Sequence, residues 1–173
     1  MKPEMRKAIV ENKGCAVILA GSDSDEEHIK KIIKSLEEYE ISYEVMICSA
    51  HKQTAELLQI TQELNSINGA VVYIAVAGGT DALSGTLSFY TLAPVISCPP
   101  DMANTSALTN PPGSSNAVIA NPKNIGKFVA QMFAFINSKY VRLIKERNAQ
   151  KLTKLQANGT RINNNYVKVY END

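Results

Sequence analysis

An α/β layered fold built on a parallel sheet is predicted by three features of this chain. Cys15–Ala20 and Ala70–Ala75 are continuous apolar runs rather than alternating ones, the pattern of strands covered on both faces. Between them, apolar residues recur every three or four positions among charged ones, which makes one-faced helices. Strand-like and helix-like segments alternate along the chain, and that order builds a parallel sheet with helices on its faces.

Taken in order, Cys15–Ala20 is the first central strand. Ile29, Ile32, Ile33, Leu36 and Tyr39 then mark one face of a helix whose other face is Glu and Lys; His28 lies at the start of this helix, on its charged face, where a solvated side chain is expected. A second strand runs over Tyr43–Ile47. The next helix carries Leu57, Leu58, Ile60, Thr61 and Leu64, and Asn68-Gly69 supplies a turn. Ala70–Ala75 is the third strand and Pro94–Cys98 the fourth, after a short helical stretch. Asn121-Pro122 reads as the cap and first position of a helix through Ile125, Val129, Met132 and Phe133. From Ser138 to Leu155 the spacing predicts an amphipathic basic helix, and the Asn-rich stretch from Asn158 to Asp173 reads as poorly ordered or strapped onto a partner.

The chain has 173 residues with 18 Lys+Arg against 17 Asp+Glu, a size and balance suited to one enzyme-sized core. With so little net charge and no basic block in the first three quarters, nucleic acid is not the expected partner; a small molecule is. The three cysteines form no CxxC pair, and no His cluster has metal-ligand spacing, so reduced, buried thiols and no metal are expected. The absence of a signal-peptide-like or membrane-spanning apolar stretch predicts a cytoplasmic protein without membrane contact.

Parallel-sheet topology sends every strand-to-helix loop to one edge, where ligands bind. Four segments meet there: Gly21-Ser22-Asp23-Ser24-Asp25, Ser49-Ala50-His51-Lys52, Ala77 to Ser84, and the stretch after Pro99. In the first, Ser and Asp side chains and free backbone donors precede a helix N-terminus, which suits phosphate or ribose; simple capping by Ser24 or Asp25 explains the same residues equally well. His51, one of only two histidines, can carry protons near neutral pH, and Lys52 offers a point charge for a phosphate; a surface His-Lys pair at a helix start is the bland alternative. Gly78-Gly79 let the backbone approach a flat ligand, although tight turns use the same residues. Neither G-x-G-x-x-G nor a P-loop lysine is present, which disfavours dinucleotide and ATP binding.

In order, Gly21–Asp25, Ser49–Lys52, Ala77-Gly78-Gly79 through Gly85 and Thr91-Leu92-Ala93-Pro94-Val95-Ile96 resemble the phosphoribosylaminoimidazole carboxylase (PurE) family, over about Cys15 to Phe135. The resemblance implies de novo purine synthesis, a flavodoxin-like three-layer α/β/α sandwich with an added C-terminal helix, and a homo-octamer. The family has two branches: one is a mutase acting on N5-carboxyaminoimidazole ribonucleotide, the other carboxylates aminoimidazole ribonucleotide directly with carbon dioxide. Lys52 stands where the mutase branch carries arginine, Thr80-Asp81-Ala82 where it carries Ala-Ala-His, and Val95-Ile96-Ser97-Cys98-Pro99-Pro100 is similar to the carboxylase branch. Direct carboxylation is therefore the expectation. Gly79-Thr80-Asp81 departs from the animal pattern, and the segment from Asp101 to Pro112 is short relative to it.

That resemblance implies catalysis without cofactor, with His51 removing the ring proton. Gly21, Ser22, Ser24, Asp25, Ser49, Ala50 and Lys52 would hold ribose and phosphate, Asp25 on the hydroxyls and Lys52 facing the phosphate. Ala77, Gly78, Gly79, Asp81, Leu83 and Ser84 would surround the imidazole and carboxylate. Asp81 would repel a carboxylate unless protonated or turned away. Residues 1–137 are expected to form the catalytic domain and 138–173 an oligomer contact, in preference to a nucleic-acid element. A mutase and a non-catalytic ribonucleotide-binding module are the competing functions.

Overall fold

The computed structural model describes residues 1–101, 104–166 and 168. A five-stranded sheet, all parallel, runs in the order β2-β1-β3-β4-β5. Its strands are β1 (Cys15–Ala20), β2 (Ser42–Ile47), β3 (Val71–Val76), β4 (Val95–Ser97) and β5 (Ala117–Val118). The helices are α1 (Pro3–Val10), α2 (Glu26–Glu37), α3 (Thr54–Asn65), α4 (Ala82–Tyr90), α5 (Ile125–Phe133) and α6 (Ser138–Asn165).

All six residues of β1 are fully buried, as an unbroken apolar run in a central strand requires. Alternate residues feed two cores. Ala16, Ile18, Ala20, Val72, Ile74 and Val76 point to one face, against α2, α5 and the start of α6. Cys15, Val17, Leu19, Tyr73 and Ala75 point to the other, against α1, α3 and α4. This is the three-layer α/β architecture expected. The three cysteines are free and buried, and burial pushes the Cys98 thiol up to about 12 and the Cys15 thiol to about 11.

Four details differ from the pattern reading. α1 was not anticipated: it has few apolar positions, but Met5 and Ile9 pack beneath the sheet. β5 is only two residues long, too short to carry a periodic signal. Pro122 begins a short 3₁₀ turn, with Asn121 Oδ1 accepting from Lys123 N, and α5 starts three residues later. The last helix does not stop at Leu155 but continues to Asn165, so the stretch from Asn158 to Asn165, read as poorly ordered or strapped onto a partner, is helical. The rest of that expectation, residues 167 and 169–173, lies outside the described residues.

The first turns of α6 belong to the main core. Asn137 caps the helix through Lys139 N, Tyr140 and Leu143 are buried, and Tyr140 Oη donates to the Lys13 carbonyl at 2.6 Å. Arg147 donates to the Glu38 carbonyl at 2.9 Å and Lys127 to Asn148 at 3.0 Å. Beyond Asn148 nearly every described side chain is exposed. No described helix is long and apolar enough to cross a membrane.

α2 and α5 touch through backbone. Ser35 Oγ donates to the Lys123 carbonyl at 2.9 Å and accepts from Gly126 N at 2.8 Å, and a Cβ on Gly126 would collide with the Ser35 carbonyl. Gly126→Ala is therefore expected to lower the unfolding free energy by about 3 kcal/mol, from overpacking and loss of the buried serine bonds, as read from the urea midpoint at unchanged m-value.

Candidate active site

The strand order places the loops after β2, β1 and β3 side by side at the C-terminal edge, and the sequence reverses direction between β1 and β3. Such a switch point leaves a crevice between diverging loops. Gly21 N donates to the Val76 carbonyl and Cys48 N to the Ala20 carbonyl, so the ladder carries the loops' first residues into register.

In the first loop the capping group is Ser22 rather than Ser24 or Asp25: its Oγ accepts from Ser24 N at 3.2 Å and lies 2.8 Å from Ser24 Oγ. Asp25 occupies the position before α2 but makes no capping bond. Its carboxyl is pushed above the usual range by burial, with Asp101 and Asp23 adding to the effect and His28 opposing it.

The second loop closes on itself. Ser49 Oγ accepts from Lys52 N at 3.3 Å, Gln53 N donates to the Ser49 carbonyl at 2.8 Å, and Thr54 Oγ1 to that of Ala50 at 2.6 Å. These bonds tie up the backbone and leave His51 and Lys52 exposed.

The third loop holds Gly79 at φ +64°, a conformation that favours glycine. Asp81 is 3 % exposed and faces inward: Oδ1 accepts from Ser84 N at 2.9 Å, capping α4, and Oδ2 from Ser97 Oγ at 2.6 Å. Its carboxylate is turned away, the arrangement that spares a carboxylate ligand from repulsion. The segment after β4 braces this loop from outside. Asp101 Oδ2 accepts from Gly79 N at 3.0 Å, Asn104 Nδ2 donates to the Ala77 carbonyl at 3.2 Å, and Ser106 Oγ accepts from Asp81 N at 2.7 Å.

A cleft of about 130 Å³ lies between the loops. It is lined by Gly21, Ser22 and Asp25 from the first, Ser49, Ala50 and His51 from the second, and Ala77, Gly78 and Leu83 from the third. Of the other residues singled out from sequence, Ser24, Lys52 and Gly79 lie outside this lining, and Asp81 and Ser84 are buried behind it. Thr80 and Ala82 also line the cleft; their place between Gly79 and Leu83 was the available signal. The stretch after Pro99 was expected at this edge and is found there, but the local pattern did not single out Asp101, Asn104 and Ser106 within it, because their bonds cross more than twenty positions of sequence.

His28 is not solvated as expected. It is half-buried, with Nε2 3.1 Å from the Cys98 carbonyl and 3.4 Å from Cys98 Sγ, and burial lowers its pKa. A larger hollow of about 680 Å³ opens at the opposite edge of the sheet, among Leu64, Tyr73, Leu92, Pro94, Phe133 and Ile136. It contains no histidine and none of the loop residues just described, so the smaller cleft is the candidate site.

Fold and cleft together define a flavodoxin-like α/β protein whose candidate site is a small cleft at a switch point. The AIR carboxylase family model matches residues 15–154, and the chain belongs to that family. It is 32% identical to a phosphoribosylaminoimidazole carboxylase of Treponema denticola, over 79% of this chain and 91% of that protein. It is also 32% identical to an N5-carboxyaminoimidazole ribonucleotide mutase of Thermotoga maritima, over 75% of this chain and 80% of that one. A bifunctional carboxylase and succinocarboxamide synthetase of Rattus norvegicus is 37% identical over 73% of this chain, which spans 31% of that longer protein. A crystal structure of Treponema denticola PurE superposes with a TM-score of 0.77 at 30% identity, covering 84% of this chain and 98% of that one. The chain is thus an enzyme of the PurE family, in purine biosynthesis, whose relatives bear both carboxylase and mutase names.

The raised Asp25 pKa has a thermodynamic sign. A group whose folded pKa lies above its unfolded value favours folding while protonated, and that contribution is lost as pH rises through the folded pKa. Ionised Asp25 therefore costs stability at neutral pH. Asp25→Asn should melt at a higher temperature than the parent at pH 7, and the difference should vanish once the pH falls below about 4, the unfolded aspartate value, as followed by circular dichroism.

Proposed function

We propose that the protein carboxylates aminoimidazole ribonucleotide with carbon dioxide to give 4-carboxy-5-aminoimidazole ribonucleotide, without metal or organic cofactor. The observation that carries this reading is the position of His51, the one histidine lining the cleft, on an exposed turn that shares this lining with Gly78. The substrate is an enamine whose ring carbon four is nucleophilic. That carbon bonds to the carbon of CO2, one C–O π pair moves onto oxygen, and the adduct then loses its carbon-four proton to restore the aromatic ring. His51 takes the proton and releases it to solvent, so the sum is ribonucleotide plus CO2 giving product plus a proton. Holding both reactants in one small crevice supplies much of the rate.

The Ser22 and Ser49 hydroxyls and the Asp25 carboxylate on the lining suit ribose and phosphate. Ser24 and Lys52, just outside the lining, would reach a phosphate extending beyond the cleft. The Gly78-Gly79 backbone would lie along the imidazole, supported from behind by Asp81 and Ser84. Lys52 in place of arginine, and the missing second histidine after Gly79, favour carboxylase over mutase. The bare apolar surface, with Leu92 86% and Phe135 93% exposed, accords with burial in a cytoplasmic homo-octamer, in which the α6 arm packs on a neighbouring copy.

Purified enzyme given aminoimidazole ribonucleotide and excess bicarbonate should form product without ATP. Product from N5-carboxyaminoimidazole ribonucleotide alone would overturn the choice of branch. His51→Asn should fold normally and lose about 10²- to 10⁴-fold in kcat. Lys52→Ala should mainly raise KM, by about tenfold for loss of one charged phosphate contact.

A further inference from the structure

One side chain outside the cleft lining bonds the helix that follows the Ser22–Asp25 loop to the strand end that leads to the brace on Gly78 and Gly79. His28 sits in the first turn of α2, directly after the loop that carries Ser22 and Asp25. Its Nε2 lies 3.1 Å from the carbonyl of Cys98, the first residue after β4. A carbonyl oxygen can only accept, so Nε2 carries the hydrogen. The Cys98 thiol 3.4 Å away stays protonated, its pKa pushed up to about 12 by burial, and shares the same donor as a weak acceptor.

The next two residues, Pro99 and Pro100, have no N–H groups, so the sheet ladder cannot continue through them. Cys98 N is the last described donor of this strand to pair with β3, at 2.8 Å to the Ala75 carbonyl. Past that point, the course of the chain depends on what holds the Cys98 carbonyl and on the stiffness of the proline pair. That course matters to the cleft. A Cβ on Gly78 would lie 3.5 Å from Pro100 Cγ and 3.7 Å from Asp101 Oδ1, so both residues pack close against this glycine. Asp101 Oδ2 also holds Gly79 N.

We propose that His28 is a positioning residue for the ribonucleotide reaction: its Nε2–H bond to the Cys98 carbonyl sets the spacing between the Ser22–Asp25 wall and the Gly78-Gly79 wall. The chain of contacts runs from α2 through Cys98, the two prolines and Asp101 to the glycine backbone. His28 lies outside the cleft lining and acts only through the Cys98 carbonyl. The ligand class rests on the function proposed above, whereas the mechanical link does not.

The test uses the full chain with His28→Leu, which removes the donor, and His28→Gln, whose amide N–H reaches the same carbonyl. With whichever of the two ribonucleotides the parent turns over, His28→Leu should raise KM about tenfold at nearly unchanged kcat, and His28→Gln should restore KM to within about twofold. Amide NMR shifts of Gly78 and Gly79 should move in the leucine variant and return in the glutamine one. These shifts need no substrate, so they decide the link even if neither ribonucleotide proves to be bound. In the parent, ¹⁵N shifts should show a neutral ring protonated at Nε2. The chain has two histidines, so the signal lost in His28→Gln identifies the ring. An unchanged KM with unmoved glycine amides in folded His28→Leu would overturn the proposal. So would a mixed-tautomer, solvent-like His28 ring in the parent, a result available even if the leucine variant fails to fold.

Discussion

Everything at the functional edge depends on β1 being clamped between β2 and β3 in parallel register. Its six residues are all buried, and its ladder pairs Ala20 with Ile47 on one side and Val76 on the other. Three strands therefore end at one level, and three polar loops leave the core together. Because the next connections run to opposite sides of β1, the loops part and leave a crevice. A one-residue slip of β1 would exchange its two core faces and separate Gly21 from the Ala77 loop. The cost of exposing so much apolar surface is what fixes the geometry of the site.

Within that frame, the polar groups divide into those that hold the site and those left free. Asp81 spends its carboxylate on Ser84 N and Ser97 Oγ, and its own N–H on Ser106. Buried polar groups need such partners, since an unpaired one costs about 1–3 kcal/mol. Among the described residues, the side chains of Asp25, His51 and Lys52 make no bond of that kind. Asp25 is held in a partly desolvated position with other carboxylates nearby, an arrangement that costs stability when the group is ionised.

Helix α6 joins the same two themes. Its first three turns are anchored by Tyr140, Leu143 and Arg147, whereas its distal part carries exposed Leu152, Leu155 and Ile162 beside Lys151, Lys154 and Arg161. A helix this long keeps its backbone bonds satisfied within itself, so it can extend past the body that anchors it.

The layered architecture, the four main strands and the four segments that meet at one edge were legible in the amino-acid order, because strand burial and helix amphipathicity are written in local periodicity. His51, the Ser22–Asp25 segment and the glycine pair were legible for the same reason: each lies where an apolar strand ends. Tertiary structure alone decided which way those side chains face. Asp81 turns inward because Ser97, sixteen residues away on a neighbouring strand, offers its hydroxyl. His28 leaves the solvent because the carbonyl of Cys98, seventy residues away, lies within reach. Asp101, Asn104 and Ser106 brace the third loop through bonds to Gly79, Ala77 and Asp81 that no short-range pattern encodes. Periodicity reports what a segment buries, but the partner of a polar group is known only when the chain has brought distant segments together.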